Sequence, residues 1–128
     1  MNFRGKILLV DDEAHIRVFV ALILKSLGKP VITEAANGEE AITAYKAARH
    51  DVVLLDVNMP HLDGIETLRR LKELDPDCVV IMLTSLANRE TVERALELGA
   101  VNYIRKDTPK EEIAKALAET IDACVPQG

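Results

Sequence analysis

Val52-Val53-Leu54-Leu55 is an unbroken apolar run that ends on an acid, Asp56. It shows no alternation of apolar and polar positions, so it reads as a strand buried on both faces, as in a parallel sheet. Runs of the same kind lie on either side, Ile7-Leu8-Leu9-Val10 and Val79-Val80-Ile81-Met82-Leu83. Two weaker ones, Val31-Ile32-Thr33 and Val101-Asn102-Tyr103-Ile104, complete a set of five. Helical spacing fills the gaps between them. Ile16, Phe19, Val20, Ile23, Leu24 and Leu27 form an apolar stripe, with Gly28 placed as its C-terminal cap. Ile113, Ala116, Leu117, Thr120, Ile121 and Cys124 form another near the end of the chain. Helix starts are marked as well: Thr108-Pro109-Lys110-Glu111 reads as a capping box with proline at the first helical position. Asn37 with Glu40 and Asp63 with Glu66 repeat the cap-plus-acid spacing, and Asn88 is placed to cap the fourth helix.

The resulting order is (βα)5, an α/β class. Right-handed crossovers turn such an order into a doubly wound, five-stranded parallel sheet with helices on both faces. A length of 128 residues suits one domain over residues 1–128. With 48% hydrophobic and 29% charged residues, the chain is not of a disordered kind. Aromatics make up only 3%, so the core must be aliphatic and no base-stacking surface is expected. A net charge of −5 has the wrong sign for a polyanion binder. No apolar run approaches the ~18 residues of a membrane helix, and the N-terminal run is too short for a signal peptide. Cys78 and Cys124 read as free thiols of a cytoplasmic protein. Neither a nucleic acid nor a membrane is an expected partner.

Sheets of this kind bind ligands at the carboxyl ends of their strands, where the strand order reverses. The residues there are Asp11-Asp12, Asp56, Thr84-Ser85 and Lys106. An Asp-Asp pair alone serves equally as a turn or a helix cap, and a lone acid after a strand can simply open a loop. Together they say more. In a flavodoxin-like order, 2-1-3-4-5, the first and third strands are neighbours, which brings three carboxylates to one rim. Such a cluster repels itself, and raised pKa values or a bound cation must relieve it. Oxygen-only ligands with open positions suit Mg²⁺. Lys106 adds a compact positive charge and Thr84 a hydroxyl. Carboxylates, Mg²⁺, hydroxyl and ammonium round one pocket describe a phosphoryl-transfer site, with Asp56 as candidate covalent acceptor.

Taken in order, Asp11-Asp12, then Asp56-Val57-Asn58-Met59-Pro60-His61-Leu62-Asp63-Gly64, then Thr84, then Tyr103 three residues before Lys106 resemble the receiver domains of two-component response regulators, of the chemotaxis-regulator kind. The likeness covers essentially the whole chain. It implies a phosphorylation-activated switch of a phosphorelay, with Asp56 as the phosphorylated aspartate. Asp12 and Asp56 would hold Mg²⁺ directly together with the backbone carbonyl of Asn58, while Asp11 would act through water. Lys106 would pair with the phosphoryl group and the Thr84 hydroxyl would bond to it. Tyr103 would be the aromatic that changes rotamer as Thr84 moves. Asn58 and Leu86 take the two places that flank the water attacking the phosphoryl group, and Leu86 has no polar group to orient it. Many receivers follow the lysine with a cis proline, whereas here Asp107 follows Lys106, which leaves the geometry of that bond open.

The resemblance also implies partners. A histidine kinase or histidine phosphotransfer protein would dock on the first helix, where Val18 and Leu22 lie off the core stripe, and on the site loops. An output partner or a second copy would use the fourth helix, fifth strand and fifth helix, where Val92 and Leu96 share a face. The domain would catalyse only its own phosphorylation and dephosphorylation, and would not be a turnover enzyme. Three other readings remain beside it. A flavodoxin-type cofactor binder would need a Ser/Thr/Gly-rich loop in place of Asp11-Asp12-Glu13. An aspartate-nucleophile phosphatase would need a D-x-D-x-T/V motif, and an interaction module would not need the acceptor set. Of the lesser features, His15, His50 and His61 are expected to face solvent, with His61 placed to touch a phosphodonor. Pro60 fixes the loop, and Gly64 serves backbone freedom or close packing.

Overall fold

The computed structural model describes residues 2–86 and 88–126. Five strands alternate with five helices: β1 (Lys6–Val10), α1 (Ala14–Lys25), β2 (Val31–Ala35), α2 (Gly38–Ala47), β3 (Val52–Leu55), α3 (Gly64–Leu74), β4 (Val80–Thr84), α4 (Arg89–Glu97), β5 (Asn102–Arg105) and α5 (Lys110–Cys124). All pairings are parallel, in the order β2-β1-β3-β4-β5. The two-residue period of the strands sorts their side chains between two cores. Ile7, Leu9, Val52, Leu54, Ile81, Leu83 and Ile104 pack on the side of α1 and α5, against Val20, Leu24, Ile113 and Leu117. Leu8, Val10, Val53, Leu55, Val80 and Met82 pack on the other side, against Ala41, Tyr45, Leu68, Leu71 and Ala95 of α2, α3 and α4. Both layers exclude water, so β3 and β4 are buried at every residue. No helix among the described residues is long and apolar enough to cross a membrane.

Three helix starts are built as expected. The side chains of Asn37, Asp63 and Asn88 accept the backbone N–H groups of Glu40, Glu66 and Thr91 at 2.8, 2.9 and 2.8 Å. The start of α5 differs. Pro109 is itself the cap, with an extended ψ of 140°, and its carbonyl accepts from Glu112 and Ile113 at 2.9 and 3.0 Å. Thr108 is one residue too early to cap, and Glu111 and Glu112 in the first turn complement the helix dipole instead. Gly28 is not the cap of α1 either, because Ser26 ends that helix. Its φ of +143° serves a close crossing of two backbones: a Cβ there would lie 2.4 Å from the N and O atoms of Phe3. Leu27 and Lys29 exchange backbone hydrogen bonds with Phe3 at the same crossing.

Two side chains sit opposite to expectation. Phe19 is 40% exposed and joins Val18 at 61% and Leu22 at 62%, so the buried stripe of α1 is narrower, running Val20, Ile23 and Leu24. Phe19 borders a groove between α1 and α5 whose wall includes Leu22, Ile23 and Ala114. His50 is buried at 4% exposure and stacks on Tyr45 with ring centroids 6.1 Å apart. Its Nδ1 has no partner among the described residues. The turn into β3 tucks the imidazole under α2, a placement that no local pattern encodes. His15 and His61 are exposed as expected.

Burial lowers the His50 pKa below its ordinary 6.5, outweighing the Ala48 carbonyl and Asp51, which raise it, while Lys6 lowers it further. The unfolded chain therefore binds a proton that the folded chain resists. The His50 contribution to stability should be whole above about pH 6.5 and decline as the pH falls toward the lower folded value. Denaturant melts between about pH 5 and 7.5 check this: the wild type should lose more stability than His50→Phe. Equal losses would clear His50 of the effect.

Candidate functional site

Register brings the acids together. Val10 of β1 faces Leu55 of β3, so the residues that follow them, Asp11 and Asp56, emerge side by side at the carboxyl rim. The ladder continues one step beyond the strands: Asp56 donates its N–H to the Val10 carbonyl and Asp11 donates to that of Ala35, both at 3.1 Å. Asp11 and Asp56 are only 2% and 3% exposed, whereas Asp12 lies open to solvent. Carboxylate oxygens of all three lie within 4.8 Å of one another.

Lys106 reaches the same point from the end of β5, where its N–H donates to the Thr84 carbonyl at 3.0 Å. Its ammonium lies 2.5 Å from Asp11 Oδ2 and 3.1 Å from Asp56 Oδ2. Burial works against that ammonium, but the Asp11 hydrogen bond and the charges of Asp56 and Asp11 outweigh it and hold the Lys106 pKa above its usual value. For Asp11, burial prevails over the lowering influence of Lys106 and the Glu13 N–H, and its carboxyl titrates above the usual range. One ammonium thus serves two carboxylates with that of Asp12 beside them, and the cluster remains short of positive charge.

Asp56 Oδ1 shows the deficit most directly, since it is buried and has no hydrogen-bond partner among the described residues. A buried carboxylate oxygen left unpaired is costly, and native structures rarely tolerate one without an ion or water nearby. An all-oxygen set of this kind, open toward solvent on the Asp12 side, fits a hard divalent cation such as Mg²⁺. Asn58, the proposed source of a carbonyl ligand, is exposed in the loop after Asp56. Met59 and Leu62, at 7% and 8% exposure, anchor that loop, and His61 between them takes a positive φ of 67°. Gly64 closes it for reasons of space: a Cβ there would lie 1.9 Å from the Asp56 carbonyl oxygen. Close packing is therefore its role.

Thr84 ends β4 fully buried, and its hydroxyl accepts the Leu86 N–H at 3.2 Å. The Tyr103 hydroxyl donates to the Leu86 carbonyl, so the main chain of Leu86 joins Thr84 to Tyr103. Burial and the charge of Asp56 raise the Tyr103 pKa, which keeps the phenol protonated as a donor. No peptide bond among the described residues is cis, so Lys106–Asp107 is trans, and Arg105 grips the Asp107 carboxylate at 2.7 and 3.0 Å. Sequence reasoning passed over one contributor. Arg17 donates Nη1 to the Asp11 carbonyl at 2.6 Å and Nε to Glu34 at 2.9 Å. A cation near the start of a helix opposes the helix dipole, and that was the available signal that Arg17 answers to something outside α1.

The comparisons agree with this geometry. A sequence model described as "Response regulator receiver domain" matches residues 7–118. The chain is 33% identical over 117 residues to the chemotaxis protein CheY of Bacillus subtilis, a match covering 91% of this chain and 98% of that one. It is 36% identical over 118 residues to the CheY of Halobacterium salinarum, covering 92% and 98%. Among solved structures, the CheX–CheY–BeF3–Mg+2 complex of Borrelia burgdorferi superposes with a TM-score of 0.84 at 34% identity, over 94% of this chain and 90% of the other. With sheet order, acidic rim, lysine and family match in agreement, this chain belongs to the response regulator receiver domains, the phosphorylation-activated signalling switches of two-component systems.

Proposed function

We propose that Asp56 accepts a phosphoryl group from a phosphohistidine, with Mg²⁺ held by the carboxylates of Asp12 and Asp56 and the Asn58 carbonyl. The observation that carries this reading is the Asp56 carboxylate itself, with one oxygen held by Lys106 and the other buried without a partner among the described residues. Both Asp11 oxygens are engaged, by the Glu13 N–H and by Lys106, while the Asp12 carboxylate is open. That difference supports Asp12 as a direct ligand and Asp11 as one acting through water. When bound, Mg²⁺ would supply charge neutralisation between the carboxylates and the phosphoryl oxygens.

The remaining chemistry belongs to the chain. An Asp56 oxygen attacks phosphorus, the bond to the histidine nitrogen breaks, and an acyl phosphate forms. Lys106 then transfers its hold from the carboxylates to a phosphoryl oxygen, and Thr84 turns its hydroxyl to the same group. Its bond to Leu86 is given up, which reaches Tyr103 through the Leu86 carbonyl and alters the face built by α4, β5 and α5. An output partner or a second copy reads that face. The donor, a histidine kinase or a phosphotransfer helix, docks on Val18, Phe19 and Leu22 of α1 and on the site loops. The domain catalyses its own phosphorylation and dephosphorylation only, as one unit over residues 1–128, and works in the cytoplasm. Mass spectrometry after treatment with acetyl phosphate and Mg²⁺ tests the reading: one phosphoryl group should be found, on Asp56, and its location elsewhere would overturn the assignment.

The lifetime of the acyl phosphate depends on how well a water is aimed at phosphorus, and Asn58 and Leu86 flank that approach. Asn58 can hydrogen-bond a water, but the Leu86 side chain, 38% exposed, only occupies space. One hydrogen bond of about 1.4 kcal/mol is a tenfold change in rate. Leu86→Glu is therefore expected to release phosphate roughly three- to thirtyfold faster than the wild type. Thr84 and Tyr103 use only the main chain of Leu86, so their link survives the substitution. Phosphate release from the two purified proteins decides, and equal rates would free Leu86 of any role in the lifetime.

A further inference from the structure

Asp12 is placed beside the other carboxylates although, among the described residues, no hydrogen bond or ion pair holds its side chain. Its position must come from the backbone before it. Asp11 is bound at every polar atom: its N–H donates to the Ala35 carbonyl, Oδ1 accepts from Glu13, and Oδ2 faces Lys106. The remaining atom is the carbonyl oxygen that begins the Asp11–Asp12 peptide plane. Among the described residues no backbone donor meets it; the Arg17 guanidinium does, at 2.6 Å. The Nε of the same guanidinium donates to Glu34, the fourth residue of β2, at 2.9 Å.

We propose that Arg17 is a positioning residue for the metal site, setting the Asp11–Asp12 peptide so that the Asp12 carboxylate stays within reach of Asp11 and Asp56. A planar guanidinium with donors in fixed directions suits this task, since it ties the first turns of α1 to the ends of β1 and β2 at once. An ordinary exposed Arg–Glu pair contributes little. This one differs on two counts: the Arg17 side chain is only 17% exposed, and one arm is spent on a main-chain carbonyl. Groups that orient metal ligands without touching the ion commonly govern affinity, and their loss costs about ten- to a hundredfold. The proposal rests on the reading of the acidic cluster as a Mg²⁺ site.

The test is a titration of the full chain with Mg²⁺ alone, followed by the amide resonances of Asp12 and Asn58, because the chain has no tryptophan to report binding. Arg17→Met keeps the aliphatic stem and removes both hydrogen bonds, and should weaken Mg²⁺ binding roughly tenfold. Arg17→Lys, a single cationic point that cannot span both acceptors, should recover part of the loss. Glu34→Gln, which leaves the bond to the Asp11 carbonyl in place, should cost about threefold. Thermal melts without metal run alongside: a lower melting temperature with unchanged Mg²⁺ affinity would make Arg17 a structural residue only and overturn the proposal. Should Arg17→Met fail to fold, unchanged affinity in both Glu34→Gln and Arg17→Lys overturns it equally. Absence of Mg²⁺ binding by the wild type would instead overturn the metal-site reading, and this proposal with it.

Discussion

Asp56→Asn is expected to lose covalent phosphorylation entirely while keeping the fold. The two side chains are nearly isosteric, and the site is already crowded with negative charge, so the neutral amide relieves repulsion among the three acids. Lys106 is not stranded by the change, because Asp11 Oδ2 already lies 2.5 Å from its ammonium. The main-chain bond from residue 56 to the Val10 carbonyl does not involve the side chain and remains. What disappears is the nucleophile: an amide oxygen cannot form the acyl phosphate. Incubated with acetyl phosphate and Mg²⁺, the variant should show no phosphoryl mass where the wild type shows one, and its melting temperature should match or exceed that of the wild type. A variant that still gains the mass would take the acceptor role away from Asp56.

Gly64→Ala should be the most damaging single methyl at the junction of the β3–α3 loop with α3. A Cβ at this position would lie 1.9 Å from the Asp56 carbonyl oxygen, and 2.7 Å from the Asp56 carbonyl carbon and from Val57 Cα. All three are backbone atoms, so no side chain can swing aside. At Gly38, by contrast, the nearest atom belongs to a side chain, the Thr67 hydroxyl. Relief at Gly64 requires α3 to move off the end of β3, which breaks the 2.8 Å bond from the Gly64 N–H to the Val57 carbonyl. Overpacking of this kind costs about 3 kcal/mol. In a chain of this size that is roughly a 10 °C fall in melting temperature. Since the displaced backbone is that of Asp56, the rate of phosphorylation should fall as well. Differential scanning calorimetry and the acetyl phosphate reaction read the two effects, and a variant unchanged in both would mean that the loop relaxes freely.

Much of this molecule is written in local sequence. Val52-Val53-Leu54-Leu55 and its counterparts had to be strands covered on both sides, because no polar position interrupts them, and that requirement alone demands helices on both faces of a parallel sheet. Asn37, Asp63 and Asn88 announce helix starts through bonds that span three residues. The candidate site was legible for a related reason: its acids and its lysine stand where apolar strands stop, and strand order makes those ends neighbours. Other features had no local signature. Phe19 and Val20 fit the helical period equally well, and only the packing of α5 decides which edge of the stripe is covered. His50 is buried by a ring that lies across a turn, and Pro109 becomes a cap through its own ψ angle. Lys106 faces Asp11 more closely than Asp56, and Arg17 takes the Asp11 carbonyl, through side chains whose reach is set by tertiary geometry. The periods of helix and strand tell a residue which face it occupies; which atom awaits it there depends on how turns and elements pack, and only folding sets that.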